Sequence, residues 1–200
     1  MANVSLFRDV SSKVWQALAA VPREKFIPPI ERQWAWANEP IPIGWGQTTS
    51  QPALIAKMIE LLDLQLGDKV LEVGTGCGYQ TAVLLELGNV EVFSVEIIPE
   101  LAEEAAARLV ELGYTRTHLK QGDGYFGWAE HAPFDAILVS AAPDHLPQPL
   151  AEQLAEGGRL VLPIGPSRDA QTLWKFVNQD GKLCGRPIEG VMFVPLIHGE

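Results

Sequence analysis

Three glycines at alternate positions follow an apolar run in the stretch VLEVGTGCGYQ, residues 70–80. A strand, a glycine loop and then the start of a helix place bare backbone against a ligand at a helix N-terminus. The loop consists of Gly74, Thr75, Gly76, Cys77 and Gly78. In the dinucleotide fingerprint the third glycine stands one position later, where this chain has Tyr79, so the spacing argues against NAD or FAD. The loop predicts a different nucleotide-like ligand.

Two further groups follow the next predicted strands. Glu96 comes eighteen residues after Gly78, where a carboxylate can accept both hydroxyls of a ribose without requiring a pyrophosphate. Asp123 and Gly124 follow the third strand, where an adenine amino group can be held. Taken singly, the glycines also suit a structural turn and Glu96 a charge at a helix start. Together, at successive strand ends, they predict an adenosine cofactor, and an adenosine without phosphates points to S-adenosylmethionine.

A polar turn, Gln47, Thr48, Thr49 and Ser50, precedes a predicted helix at residues 52–62. Pro52 is allowed in the first turn, so free backbone N–H groups and the positive end of the helix dipole can face an anion. Ser50 adds a hydroxyl donor for a carboxylate. Spacing alone favours a simpler role, in which Ser50 or Thr49 is the helix N-cap and contributes about 1 kcal/mol to stability.

Apolar runs alternate with helical patterns from about residue 50 onward, which is typical of a parallel α/β sheet. We expect strands at 69–73, 91–95, 117–121, 134–140 and 159–164, and helices at 52–62, 79–87, 99–112 and 146–154. After Gly165 two β-rich runs, TLWKFV and GVMFVPLI, are separated by NQDGKLCGRPIE without a helix. The sheet is therefore expected to end in an antiparallel strand pair.

The first 50 residues differ in composition. A short helix at about 10–20 precedes a segment that holds Trp34, Trp36 and Trp45 among several prolines. We expect an ordered cap over the carboxyl edge of the sheet, in which the tryptophans either pack in the core or line a peptide groove. The chain is predicted to form one domain, with a cap at 1–50 and a core at 51–200.

Composition narrows the class of protein. The 200 residues are 47% hydrophobic, with no apolar span of about 18 residues or more and no export signal at the start, so a cytoplasmic protein is expected. A formal charge of -10 disfavours nucleic acid as a partner. The two cysteines, Cys77 and Cys184, form no CxxC pair, so neither a disulfide framework nor a metal site is expected.

These motifs resemble the protein-L-isoaspartate O-methyltransferases. The resemblance runs in order through AAVPREKFIP (19–28), PIGWGQTTSQP (42–52), VLEVGTGCGYQTA (70–82), GDGYFGW (122–128), APFDAILVSAAPDHLP (132–147), GGRLVLPIG (157–165) and FVPLIHGE (193–200). The glycine loop is common to many methyltransferases, whereas the polar turn and the VPREKF segment are more specific. The family implies a Rossmann-like class I methyltransferase fold, a mostly parallel sheet flanked by helices.

The resemblance also implies methyl transfer from S-adenosylmethionine to the free α-carboxylate of L-isoaspartyl residues in damaged proteins and peptides, followed by spontaneous collapse of the ester to a succinimide. It assigns the catalytic role to Ser50 and favours that role over helix capping. Monomers or weak dimers are expected. The cofactor site so predicted comprises Gln47, Thr48, Thr49, Gly74, Thr75, Gly76, Cys77, Gly78, Glu96, Asp123 and Gly124.

Three departures from the family pattern stand out. Cys77 occupies a position where the family often has serine, which adds a thiol open to oxidation or alkylation. Trp45 occupies the variable position of the turn. The short lead before VPREKF leaves the completeness of the cap open.

The expected chemistry needs no Ser/His/Asp triad, because a carboxylate with a pKa of about 4 is ionised at pH 7. Proximity and alignment are the main demands on the site. The small residues of SAAP, 140–143, either leave room for a substrate or pack tightly against the next helix, and Asp135 is interpreted as structural. Three alternatives stay open: an acceptor carboxylate in one specific biosynthetic peptide, a non-catalytic nucleoside-binding protein, and a dehydrogenase.

Overall fold

The computed structural model describes residues 10–88, 90–166 and 169–199. The N-terminal region contains helix α1 (Ser12–Ala20), two short 3-10 helices (Arg23–Lys25 and Pro29–Trp34) and a hairpin of strands β1 (Ile41–Gly44) and β2 (Gln47–Thr49). Val14, Ala17 and Leu18 of α1 are buried in the same cluster as residues of the sheet and its helices. The N-terminal region therefore packs directly on the rest of the chain. The hairpin was not predicted.

The remaining elements alternate as expected. They are α2 (Pro52–Leu62), β3 (Lys69–Val73), α3 (Tyr79–Glu86), β4 (Glu91–Glu96), α4 (Pro99–Glu111), β5 (Thr117–Gln121), β6 (Phe134–Val139), α5 (Gln148–Glu152), β7 (Leu154–Ile164), β8 (Gln171–Gln179) and β9 (Lys182–Val191). One seven-stranded sheet has the order β5-β4-β3-β6-β7-β8-β9. The first five strands in that order are parallel, and β8 and β9 are antiparallel to their neighbours. The predicted fold class is confirmed.

Both faces of the sheet are covered, which explains why the central strands have almost unbroken apolar sequences. Adjacent residues of β3 enter different clusters: Val70 packs with residues of α1 to α4, and Leu71 packs with Leu150 of α5. Burial of this kind is the main favourable term in folding. In the described part of the chain, no helix combines the length and apolar character needed to cross a bilayer.

The prediction for the segment 146–154 was partly wrong. Helix α5 covers only Gln148–Glu152, and β7 begins at Leu154, five residues before its predicted start at 159. The backbone N–H of Phe134 donates to the carbonyl of Gln153 at 2.8 Å, so strand pairing begins directly after the helix. An irregularity in the pairing between Phe134 and Ala136 then absorbs the extra residues of β7. Sequence periodicity does not register such a bulge.

The location of the last strand was also wrong. Strand β9 covers Lys182–Val191, most of the stretch that was interpreted as a separator, and the run GVMFVPLI enters it only at its first two residues. Asp180 and Gly181, both at positive φ, form the turn between β8 and β9. Because β9 is an edge strand and largely exposed, its polar residues do not produce an apolar pattern. Strand β9 is therefore defined by its backbone pairing with β8.

Candidate active site

A cavity lies at the carboxyl ends of β3, β4 and β6, where open α/β sheets bind ligands. Its walls come from the polar turn after β2, the glycine loop, the end of β4 and a segment near the C-terminus. Ten of the predicted site residues line it: Gln47, Thr48, Thr49, Ser50, Gly74, Thr75, Gly76, Cys77, Glu96 and Gly124. The other two predicted residues, Gly78 and Asp123, lie beside the cavity but do not line it.

The glycine loop brings bare backbone to the cavity. Gly74, Gly76 and Gly78 all adopt positive φ, a conformation that favours glycine. A Cβ atom added to Gly76 would lie 3.2 Å from the Cδ1 of Ile43, another lining residue, so a side chain there would crowd the cavity wall. Gly78 instead permits close packing of the start of α3 against Leu109 of α4. The absence of a side chain at Gly78 therefore allows the two helices to pack closely.

Glu96 is fixed at the edge of the loop. The residue is 6% exposed, and each carboxylate oxygen accepts one backbone N–H: Oε2 from Gly76 at 2.8 Å and Oε1 from Ile98 at 3.0 Å. A carboxylate oxygen has a second lone pair, so both oxygens retain capacity to accept a hydroxyl. This oriented carboxylate fits the vicinal hydroxyls of a ribose.

Gly124 and its neighbour Asp123 behave differently. Gly124 lines the cavity, and a Cβ atom there would overlap the Cγ1 of Val73, so only glycine fits without displacement. The Asp123 carboxylate is occupied by protein groups: Oδ1 accepts the N–H of Tyr125 at 2.9 Å, and Oδ2 contacts Nδ1 of His198 at 2.7 Å and the N–H of Gly199 at 3.0 Å. Partial burial opposes ionisation, but these hydrogen bonds outweigh it and lower the pKa of Asp123.

The same contacts hold the C-terminal segment over the cavity. The His198 ring stacks on the Tyr125 ring with centroids 4.0 Å apart. Just after β6, the N–H of Ala142 donates to the carbonyl of Val194 at 2.8 Å, and the carbonyl of Ala142 accepts the N–H of Leu196 at 2.9 Å. Residues 194–197 thereby form one wall of the cavity. Sequence reasoning missed this wall; the only signal was the motif FVPLIHGE, which carried no assigned role.

Ser50 lies half-buried between β2 and α2 and lines the cavity. The N-cap of α2 is Gln51, which makes no side-chain capping bond, so neither Ser50 nor Thr49 occupies the capping position. The cap is supplied from the N-terminal region, where Oδ1 of Asn38 accepts the N–H of Ala53 at 3.1 Å. Among the described residues, the Ser50 hydroxyl has no side-chain hydrogen-bond partner, and so it is available to a ligand.

A buried acid that sequence reasoning did not single out supports the floor of the cavity. Glu72 is 0% exposed and accepts hydrogen bonds from Nε2 of Gln80 at 2.9 Å, Oγ1 of Thr81 at 2.5 Å and Oγ of Ser94 at 2.6 Å. Burial raises the pKa of Glu72 to about 7, while these hydrogen bonds oppose the rise. Nε2 of Gln80 also bonds Ser140 at 2.8 Å, and both of these residues line the cavity. The signal was a charged residue inside the apolar strand VLEV.

The other residues singled out from the sequence lie partly at the cavity and partly away from it. Ser140 and Ala141 of SAAP line the cavity, whereas Ala142 packs in the core, so each of the two interpretations applies to part of the motif. Trp34 and Trp45 are 57% and 47% exposed, which excludes core packing for these two. None of the four histidines lines the cavity. The Asp135 carboxylate accepts the N–H of Lys69 at 2.8 Å and so connects the starts of two strands, in keeping with a structural role.

A wider groove adjoins the cavity between α2 and the end of β9. It shares Thr48, Val194 and Pro195 with the cavity, and the ion pair of Lys57 and Glu189, at 2.8 Å, lies along it. An extended ligand can therefore lie in the groove and reach the cavity past Thr48.

The model of one protein family matches residues 6–200 of the chain; its description is protein-L-isoaspartate(D-aspartate) O-methyltransferase. Curated relatives include the protein-L-isoaspartate O-methyltransferase of Gloeobacter violaceus, 49% identical over 92% of this chain and 89% of the relative. The enzyme of that name from Vibrio cholerae is 50% identical over 95% of this chain and 90% of its own length.

Solved structures agree with these matches. A protein-L-isoaspartate O-methyltransferase superposes with a TM-score of 0.86 at 30% identity, covering 98% of this chain and 65% of that chain. A beta-aspartate methyltransferase (PCMT) from Plasmodium falciparum, in complex with S-adenosyl-L-homocysteine, superposes with a TM-score of 0.80 at 25% identity, covering 98% and 99% of the two chains.

Proposed function

Because the chain belongs to the protein-L-isoaspartate(D-aspartate) O-methyltransferase family, we propose that it transfers the methyl group of S-adenosylmethionine to the free α-carboxylate of L-isoaspartyl residues in damaged proteins and peptides. The resulting ester collapses to a succinimide without further help from the enzyme, and hydrolysis of the succinimide restores part of the normal aspartyl linkage. The protein is thus a repair enzyme.

One observation carries the proposal. A single cavity contains the glycine loop, the oriented carboxylate of Glu96 and the polar turn that ends at Ser50. The first two suit an adenosine, and the third suits an anion. A methyltransferase that acts on a carboxylate needs both in contact, because proximity and alignment are the largest contributions to such a transfer.

The residues of the loop would hold the cofactor, which supplies an electrophilic methyl group on a sulfonium. Glu96 would accept the ribose hydroxyls and Gly74 to Cys77 would allow close backbone approach, while Gly124 lies tightly against Val73, where a Cβ atom would not fit. We keep Gln47, Thr48, Thr49, Gly78 and Asp123 as proposed members of the cofactor site, although the last two do not line the cavity.

Ser50 is the proposed catalytic residue. Its hydroxyl donates to the acceptor carboxylate and orients one oxygen toward the methyl group, while the apolar residues of the C-terminal wall, Val194, Leu196 and Ile197, exclude water from that oxygen. No general base is needed, because the carboxylate is already ionised at neutral pH. The absence of a histidine from the cavity lining is consistent with that chemistry.

We also propose that the flanking peptide lies in the groove beside Thr48, and that the protein acts in the cytoplasm as a monomer or weak dimer within a single domain. Analytical ultracentrifugation of the enzyme with and without a peptide would test the assembly state.

The decisive experiment incubates the protein with methyl-labelled S-adenosylmethionine and two peptides that differ only in an L-isoaspartyl or a normal aspartyl linkage. The methanol released by mild base is then collected. We expect base-labile label on the isoaspartyl peptide alone. Label on neither peptide, with cofactor binding demonstrated, would point to one specific peptide acceptor or to a protein without turnover.

A further inference from the structure

Arg23 is a buried guanidinium for which the reaction described so far gives no role. It begins the 3-10 helix Arg23–Lys25 in the segment VPREKF, and its side chain is 0% exposed. None of the ion pairs among the described residues includes it, and its Nε and Nη1 have no hydrogen-bond partner there. Burying a cation without compensation is unfavourable. An arginine in this state calls for an explanation beyond folding.

The position of the Arg23 guanidinium explains why it is buried without a charged partner. Its Nη2 donates to the carbonyl oxygen of Ser50 at 2.8 Å, and its central carbon lies 4.7 Å from the centroid of the Tyr79 ring. Ser50 and Tyr79 both line the cavity, whereas Arg23 does not. The positive charge therefore lies directly behind the part of the wall that carries Ser50, shielded from water.

The charge balance of the cavity makes this position important. Of the described residues that line the cavity, Glu96 alone carries a carboxylate, and none is a lysine, arginine or histidine. S-adenosylmethionine would bring a sulfonium, an ammonium and a carboxylate of its own, and the acceptor brings a further carboxylate into a protein of formal charge -10. Arginine stays protonated even when buried, and its charge is poorly screened in a water-excluded region. Arg23 is thus placed to offset the charge of the incoming anion.

We propose that Arg23 is a positioning residue for the acceptor carboxylate. Through its bond to the Ser50 carbonyl it holds the polar turn with the Ser50 hydroxyl at the cavity, and its unpaired charge favours an anion in front of that turn. The Tyr79 ring fixes the guanidinium from the other side. This inference rests on the function proposed above for Ser50.

The chain offers a matched control. Nη1 of Arg108 donates to the carbonyl of Cys77 at 2.8 Å, the same kind of bond to a backbone oxygen, but in the glycine loop instead of the polar turn. Arg108→Met should therefore weaken the cofactor, whereas Arg23→Met should weaken the acceptor. Both substitutions remove a guanidinium that supports the cavity wall from behind.

The test measures equilibrium binding of two peptides to enzyme saturated with S-adenosylhomocysteine. One is an isoaspartyl hexapeptide with a free α-carboxylate, and the other carries an α-carboxamide at the same residue. We expect the wild type to prefer the carboxylate, and Arg23→Met to reduce that preference by about tenfold or more while cofactor affinity stays within about twofold. Arg108→Met should show the opposite pattern.

Two conservative variants separate charge from hydrogen bonding and serve if Arg23→Met does not fold. Arg23→Lys keeps the charge, and Arg23→Gln keeps a donor without the charge, so Arg23→Lys should retain more of the carboxylate preference than Arg23→Gln. Equal weakening of both peptides in every variant would overturn the inference, since a purely structural role predicts that result. If the wild type methylates isoaspartyl peptides normally and the Arg23 variants keep the full carboxylate preference, the role of Arg23 is overturned but the proposed function stands. If the wild type methylates no isoaspartyl peptide, the proposed function is overturned as well.

Discussion

At the scale of single residues, the site separates into groups that are already engaged and groups that are free. The Glu96 carboxylate is oriented by two backbone N–H groups, and the Ser50 carbonyl is held by Arg23, yet the Ser50 hydroxyl has no side-chain partner among the described residues. A free hydroxyl on a fixed backbone is suited to contact a ligand, because little conformational freedom is lost on binding.

Ser50→Ala should lower kcat/KM for an isoaspartyl peptide by about tenfold to a hundredfold, the effect of losing one hydrogen bond to a charged group. The Kd for S-adenosylmethionine should change by less than about twofold, since the proposed cofactor contacts are mainly the loop and Glu96. Steady-state kinetics and calorimetric titration would measure the two quantities. Equal turnover of variant and wild type would remove Ser50 from the catalytic role.

Glu96→Gln should weaken S-adenosylmethionine by about tenfold to a hundredfold, because the amide replaces one charged acceptor with a donor. The exposed Glu100, in the first turn of α4, provides the control, and Glu100→Gln should leave the affinity unchanged. Calorimetric titration of both variants checks the prediction. Similar losses in the two variants would indicate a general effect of surface charge instead of a contact with the ribose.

At the scale of secondary structure, the strands and helices that position the site were largely predictable. Strands β3 and β5 and helix α2 have the predicted bounds, because buried parallel strands and amphipathic helices leave strong periodic signals. The β1–β2 hairpin and edge strand β9 were not predictable in the same way. They depend on pairing partners elsewhere in the chain, which a local pattern does not contain.

The candidate site likewise contains residues that local sequence predicts and residues that only tertiary packing brings in. The glycine loop and Glu96 follow strands and were found from spacing, whereas Arg23 and residues 194–197 reach the cavity only through tertiary packing. Nothing in the local sequence around Arg23 indicates that its guanidinium bonds to Ser50, twenty-seven residues away. Likewise, the sequence assigns Asp123 to the adenine, but the distant His198 and Gly199 contact its carboxylate.

The start of α2 depends on a residue outside the helix. Asn38 accepts the N–H of Ala53, so Asn38→Ala should reduce the free energy of unfolding by about 1 kcal/mol, as for other lost caps. Asn38→Asp keeps an acceptor and gains a favourable charge at the helix N-terminus, so it should retain that stability. Urea denaturation of the two variants measures the difference. An unchanged midpoint in Asn38→Ala would mean that the contact does not function as a cap.

At the scale of the whole molecule, the buried network around Glu72 connects stability to pH. The pKa of Glu72 is about 7 in the folded protein, above its ordinary value of 4.5, so the folded state binds a proton more tightly than the unfolded state. The contribution of Glu72 to the free energy of unfolding is fully present below pH 4.5, where the group is protonated in both states. It is lost as the pH rises through the folded-state pKa of about 7. The total loss is on the order of 3 kcal/mol.

Glu72→Gln removes that titration. Relative to the wild type, the variant should therefore gain stability as pH rises from 5 to 8, and the gap between their urea midpoints should shift steadily in its favour. Groups common to both proteins cancel in this comparison. A gap that stays constant over the whole range would show that Glu72 does not change its protonation between the folded and unfolded states.

The wall formed by residues 194–197 also has a consequence for how the protein is made. The glycine loop and Glu96 leave the ribosome long before this wall does, and the cavity has contributions from both. A nascent chain that has folded its central strands therefore still lacks one side of the cavity. Translation that stops before residue 194 would yield a chain without this wall, which could not enclose the acceptor carboxylate.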